Sequence, residues 1–485
     1  MAEIFLSSVK KNYRRKLAVE LTNNHLKVDI SEYRYPARSI LKRTELYLRV
    51  ILLPAALMLA ALPQKNIAAD YYIPPTKSQP KIDGILDRNE WVDASEVLVN
   101  IETDPADSVK SDVKTRAFLM ENGETLFVAF IAHDKNPDQI RAFYRDRDLL
   151  WSDDHVGVSL DTFNDERRAY EFWVNPLGVQ ADGTYDDINQ RSDSSWNAIW
   201  QSAGKITANG YIVEIAIPFK QLRFSTRKKK QQWGLELIRR YPRDRNIRIA
   251  NSVINRDVSC RLCQFSKAEG MKDIRAGRNL ELVPSFTANS IRRRNLNLDT
   301  WQNDGVRSDT GADLRWGISQ DVYLNATLNP DFSQVEADSV QLDTNNTFSL
   351  YFPERRTFFL DGADYFTTFE NLVYTRNISN PNFGAKITGK KNSHSYALLA
   401  ANDDKTQFIS PTSLSSSVTR LRNRSGNDLS SNIAIGRYRL DIFKNSSIGA
   451  LITDRRSKSA GINYKNTVKS LDAVLRPTNS DTVTI

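Results

Sequence analysis

Past residue 278 the chain places apolar and polar side chains at alternate positions, run after run, and no other feature restricts its fold as strongly. Ala312, Leu314, Trp316 and Ile318 alternate with Asp313, Arg315, Gly317 and Ser319. Val322, Leu324, Ala326 and Leu328 alternate with Tyr323, Asn325, Thr327 and Asn329. Phe383, Ala385 and Ile387 alternate with Gly384, Lys386 and Thr388, and Ile448, Ala450 and Ile452 keep the same rule. Successive side chains of a strand point to opposite faces, so a period of two describes strands with one apolar and one wet face. Two architectures accept them: a second soluble sheet, or a membrane barrel with lipid outside and a polar lumen. About nine or ten such strands are present, and an open sheet in lipid would leave unpaired edges. The chain ends Thr482-Val483-Thr484-Ile485, without the aromatic residue that usually closes an outer-membrane barrel. A truncated barrel is therefore expected.

Between Ile82 and Arg240 the pattern differs. Short apolar runs such as Thr115–Met120, Leu126–Ala132, Val156–Asp161, Ala169–Val174 and Tyr211–Ile217 are separated by Gly, Asp, Asn and Pro. Strands at this spacing predict an antiparallel β-sandwich. The expected fold class is thus all-β, a sandwich followed by part of a transmembrane-type barrel.

Ahead of both lies an export signal. Lys42, Arg43 and Arg49 precede an apolar run over residues 50–62, and Ile67-Ala68-Ala69 is a plausible cleavage site. The run is shorter than the roughly 20 residues of a transmembrane helix. Residues 1–41 are polar, basic and longer than such a signal requires.

The net charge of +9 is spread among acidic residues rather than gathered on one face, which argues against a nucleic-acid partner. The richest basic run, Arg239-Arg240-Tyr241-Pro242-Arg243-Asp244-Arg245, suits an anionic lipid surface equally well. Four histidines and two cysteines leave little material for metal or thiol chemistry. Cys260 and Cys263 have no second pair or nearby histidine, so a local disulfide in an oxidising compartment is expected.

The segments Asn329–Asp338 and Tyr351–Gly362 mix carboxylates, arginines and aromatics too densely for a core strand or a flexible linker. They read as an ordered plug or turn region whose charges pair with each other, with Arg355 and Arg356 bound to Asp331, Glu336 or Asp361 and Glu354 in the same block. This block resembles one from a family of bacterial outer-membrane proteins. Members have an N-terminal domain similar to family 9 carbohydrate-binding modules and a C-terminal β-barrel domain of unknown function. The resemblance covers most of the chain from Ile82 onward. It implies an extension and signal peptide over 1–69, a sandwich over 70–278 and a barrel region over 279–485. Ile82-Asp83-Gly84 with Trp91, Thr125–Ala129 with Asp134, Trp151–Asp161, Phe172–Pro176 and Val213–Pro218 follow the module's order of landmarks.

By that resemblance Trp151 stands where one sugar-stacking tryptophan lies, and Asn175 matches a hydroxyl-binding asparagine, with Trp173 beside it. The chain departs from the pattern at two places. Gly157 replaces the acidic hydroxyl ligand, and Trp173 replaces an arginine two residues before the asparagine. No tryptophan near Cys260 supplies a second sandwiching ring. The sugar site is therefore expected to be remodelled.

Asp153, Asp154, Asp182, Asp186 and Asp187 form acidic turns that make Ca²⁺ a candidate cofactor through hard oxygen ligands. Asp153 and Asp154 are poor candidates for a glycosidase pair, because neighbours on a strand face opposite ways. Gly384–Lys391 imitates a phosphate loop but lacks the final Ser or Thr and falls within strand alternation. The expected function is glycan or polysaccharide binding at the cell outer membrane, linked to polysaccharide capture or carbohydrate catabolism. One rival is a transport or assembly barrel whose sandwich docks or gates. The other is a glycoside hydrolase.

Overall fold

The computed structural model describes residues 70–485 apart from 226–228, 275–276, 278, 296–299, 331–353, 412–415, 421, 423–427, 444 and 460–461. The export segment, Asp331 and Glu336 lie outside the described residues.

The chain is all-β. The first sheet comprises β1 (Tyr71–Tyr72), β2 (Ser95–Asp104), β3 (Val109–Glu121), β4 (Thr125–His133), β5 (His155–Asp161), β6 (Arg168–Val174) and β7 (Gln180–Asp186). It continues with β8 (Arg191–Asp193), β9 (Gln201–Thr207), β10 (Gly210–Pro218), β11 (Lys230–Pro242), β12 (Asn246–Ala250) and β13 (Ser266–Lys272). The strand order is β8-β7-β6-β5-β11-β12-β2-β3-β4-β10-β9, with β13 joining β11 to β1. The five strands read from alternation and turn residues all lie within observed strands. Phe172 and Val158 from one flank share a single buried cluster with Phe130 and Val213 from the other, so the sheet curls around its own core. Fully burying such side chains contributes about 1.5–3 kcal/mol each. This curled head is the sandwich-like part of the molecule.

The second sheet runs in the order β14 (Leu280–Asn295), β15 (Thr300–Ser319), β16 (Val322–Leu328), β17 (Pro381–Lys391), β18 (His394–Asp403), and then β21 (Ser431–Ile442), β22 (Ser446–Ser459), β23 (Ile462–Leu475) and β24 (Val483–Thr484). A separate hairpin, β19 (Gln407–Pro411) with β20 (Ser416–Arg420), interrupts the chain between β18 and β21. All neighbours in the second sheet are antiparallel.

On β16 and β17 the covered face of this sheet is polar and the open face apolar. On β16 the polar alternates Tyr323, Asn325 and Thr327 are buried, while Leu328 is 62% exposed. On β17 Lys386, Thr388 and Lys390 are buried, while Phe383 is 51% exposed. Register carries one exposed row from Trp316 through Leu324, Ile387, Leu398 and Gly436 to Ile452. The neighbouring row ends where Asn402 and Asn432 pair across β18 and β21, and Asn382 donates to Asn402 at 2.9 Å. Apolar side chains thus form a continuous outward band bordered by an amide ladder. On β23 the row opposite Ile452 is Lys469, which interrupts the band at that flank.

The covered face is polar on β16 and β17, but on β18, β21 and β22 it carries Ala397, Leu399, Ala401, Ile433, Ile435 and Leu451. Against these pack Phe358 and Phe359 of the short helix α1 (Thr357–Leu360), with Tyr365 and Phe366 just after it. The expected uniformly wet inner face is therefore half apolar, because an aromatic insert covers it.

The head is docked on this sheet by charge-assisted contacts. Arg223 donates to Thr388 Oγ1 at 2.9 Å and pairs with Asp361 at 3.3 Å, its guanidinium 4.2 Å from the Tyr323 ring centre. Arg168 pairs with Asp364, and Lys390 with both Asp165 and Asp441. Arg167 reaches Asp441 at 3.2 Å, and Arg476 reaches Asp187 at 2.7 Å. Cys260 and Cys263 form a disulfide at this contact, where Asn445 donates to the Cys263 sulfur at 2.7 Å.

Candidate functional site

The aromatic patch of the head is built on β5, β6 and the loop before them. Trp151 is 48% exposed at the end of that loop. Its ring stands edge-on to Trp173 at 6.0 Å and to His155 at 5.9 Å, and His155 lies 5.5 Å from Trp173. Such edge-to-face pairs hold rings in place beyond simple area burial. Trp173 itself is buried, and its indole Nε1 has no partner among the described residues. Trp151 alone of the three predicted ligand residues offers a face to solvent.

The two departures noted in the sequence are one packing solution. Gly157 and Trp173 are cross-strand partners. A Cβ on Gly157 would lie 2.6 Å from Trp173 Cζ3 and 2.7 Å from Cδ2, with Cε3 nearer still. The indole occupies the space of the missing side chain and packs on Leu150, Ala181 and Ile238. Where the resemblance calls for a carboxylate and a guanidinium, this chain has filled the site with one ring. His155 completes the wall. Burial holds its pKa down to about 4, although the Asp153 carbonyl, 2.8 Å from Nδ1, pulls the other way. Its imidazole is neutral near pH 7.

Asn175 is not available to a sugar. Its Nδ2 donates to the Phe143 carbonyl at 2.9 Å and to Asp153 at 3.0 Å, and its Oδ1 accepts from the Leu177 and Val179 amides. The side chain is fully buried. It ties the loop over 141–154 to the β6–β7 turn, and so it positions Trp151 from beneath. In this geometry Asn175 serves as an anchor and Trp173 as the support of Trp151.

The five acidic residues do not converge on a cation. Asp153 is bound by the Phe143 amide and Arg145, and Asp154 by the Arg141 amide and Arg243. Asp182 holds Arg147, the Ala198 amide and Trp200 Nε1. Asp186 accepts from the Ile188 amide and Asn189, whereas Asp187 accepts from the Arg261 and Leu262 amides and Arg476. Among the described residues no three of these carboxylates share a metal-sized space. Arginines and backbone N–H groups satisfy the charges that Ca²⁺ was expected to balance. Burial raises the pKa of Asp154 and Asp182 despite these partners. Asp153 and Asp154 are fully buried, which removes them as groups flanking a glycosidic bond.

Among the described residues the pairing at Asp361 differs from expectation. Arg356 binds Glu354 at 2.7 Å and donates to the Thr375 and Ile378 carbonyls. Asp361 instead receives Arg223 from the head, Arg315 at 3.2 Å and Asn325 at 2.7 Å. Burial alone would raise the Asp361 pKa, but these cations hold the carboxyl well below the usual range. The block therefore serves as the landing point of the head, a role that Arg168 and Arg223 share and that no local motif announces. Sequence reading also passed over Phe143, Tyr144 and Leu149, which stand exposed on the loop of Trp151. An aromatic-rich run between two structured strands was the available signal.

Two family models match parts of this chain. One, described as "Carbohydrate family 9 binding domain-like", matches residues 82–255, and the other, "Domain of unknown function (DUF5916)", matches residues 279–418. Among solved structures the chain is similar to a Bacteroides uniformis protein described provisionally as carbohydrate-binding. The identity is 14% and the TM-score 0.33, over 41% of this chain and 98% of that one. No curated protein matches the chain.

Proposed function

We propose that this chain is an exported carbohydrate-binding protein of the cell outer membrane, its head capturing polysaccharide for uptake or breakdown while its second sheet forms barrel wall in lipid. The observation that carries the binding reading is Trp151: an exposed indole braced edge-on by a buried one, on a head that matches a family 9 carbohydrate-binding-like model. An exposed ring of this kind stacks on the C–H face of a sugar. The membrane reading rests on the outward apolar band, because a soluble sheet would present the opposite face.

The docking geometry supports a side of the membrane. Lys390, Asp441, Ser446 and Arg476, which meet the head, lie where strand connections are short: 320–321, 392–393 and 443–445. At the opposite strand ends the connections are mixed, with 329–380 and 404–430 long and 296–299 and 460–461 short. Bacterial barrels keep short turns on the periplasmic side, which supports a periplasmic head.

The test is a glycan array probed with the whole detergent-solubilised chain and with Trp151→Ala. A sugar signal that Trp151→Ala removes supports binding at this patch. A second reading, a docking or gating head on a transport barrel, is favoured by the buried ion pairs between head and sheet. Absence of any glycan signal, with Arg223→Ala altering solute flux through reconstituted protein, would select it.

A further inference from the structure

We infer that the space between the head and the covered face of the second sheet is a second saccharide site, separate from the Trp151 patch. A cavity of about 440 Å³ lies there, within the range of small-molecule sites. Trp196, Asn197 and Gln221 of the head form one wall, and Asp313, Arg315 and Asn325 of β15 and β16 form the other. Neither wall alone encloses it.

The chemistry of the lining selects the ligand. Trp196 is half-buried and fixed by Tyr170 at 4.8 Å and Phe172 at 5.8 Å, so it presents a rigid apolar surface. Asn325 is 5% exposed. Its Nδ2 is committed to Asp361, and its Oδ1 is buried without a partner. Asp313 Oδ1 is likewise buried and, among the described residues, unpartnered. A buried acceptor left unpaired is costly, so both oxygens favour a ligand that brings hydroxyl donors. Acidic and basic groups share the wall, with Arg315 paired to Asp361, which disfavours a ligand of strong net charge. A rigid indole, planar amides and unpaired acceptors together suit a short, neutral oligosaccharide. On the function proposed above, its position between the head and the inner face of the barrel wall is where a saccharide would rest in transit.

The experiment compares the whole chain with Trp196→Ala, Asp313→Asn and Trp151→Ala on one array of neutral oligosaccharides of two to six rings. Asp313→Asn is isosteric and replaces the charged carboxylate by a neutral amide with a single acceptor oxygen, without emptying the wall. The expected result is a set of short glycans whose binding falls at least tenfold in both Trp196→Ala and Asp313→Asn but persists in Trp151→Ala. Signals lost only in Trp151→Ala would overturn the chamber while leaving the head patch intact. Signals unchanged in Trp196→Ala and Asp313→Asn, or none from the parent protein, would overturn it as well.

Discussion

Substituting Gly157 tests whether one indole has replaced the polar site. Gly157 is paired on both sides, with Trp173 on β6 and Ile238 on β11, so its backbone cannot retreat. A new methyl would sit 2.6–2.7 Å from two ring atoms of Trp173, against the roughly 3.5–4.0 Å of an ordinary carbon contact. Leu150, Ala181 and Ile238 hem in the ring on its other sides. Gly157→Ala is therefore expected to destabilise the head by about 1–3 kcal/mol through overpacking. Trp173→Ala should cost about 3–5 kcal/mol through the cavity it leaves. In the Trp173→Ala background the clash is gone, and alanine suits a strand better than glycine by roughly 0.5–1 kcal/mol. The second substitution then becomes neutral or stabilising. A double-mutant cycle followed by thermal unfolding of the whole chain should give a coupling of about 2 kcal/mol. Additivity within about 0.5 kcal/mol would refute the shared-space argument.

Other outcomes follow from the same geometry. Asn175→Ala strands buried amides and a carbonyl, so the head should lose about 1–3 kcal/mol, and protease cleavage within 141–154 should accelerate; unchanged cleavage would contradict the anchoring role. His155 has a folded pKa of about 4 against an ordinary 6.5, so the unfolded chain binds the proton more readily. The stability it contributes is complete above about pH 6.5 and is lost as pH falls toward 4, on the order of 3 kcal/mol. Burial lifts Asp161 to about 7, helped by Asp165, which acts in the opposite direction between its ordinary value near 3.8 and 7. Comparing acid titrations of stability for the parent and His155→Phe isolates the histidine; parallel curves would sink this assignment. Arg168→Ala with Arg223→Ala removes partners from Asp364 and Asp361 and should speed proteolytic release of the head, while the melting of the head itself stays put.

The alternation and turn chemistry were enough to locate five strands of the head and four of the second sheet, because period two is a local property. They could not say which face of the second sheet is covered. That depends on the aromatic insert around Phe358 and Tyr365 and on the docked head, both remote in sequence from β16 and β17. Trp151 was legible as an exposed ring. Asn175 was not legible as a buried anchor, because its carbonyl partner comes from Phe143 and its carboxylate from Asp153 across a folded loop. Acidic turns look the same whether calcium or arginine balances them. Asp187 illustrates this, since the arginine that compensates it is Arg476, 289 positions away. Gly157 and Trp173 were visible as two separate departures, and only the register of β5 against β6 makes them one.

Spin labels placed singly along β18 and β21 probe the orientation of the second sheet most directly. In membranes, labels at Leu398 and Ala434 should relax with dissolved oxygen and resist a water-soluble nickel chelate, whereas labels at Leu399 and Ile435 should respond weakly to both. Strong nickel accessibility at Leu398 and Ala434 would mean that water, and not lipid, covers the apolar band.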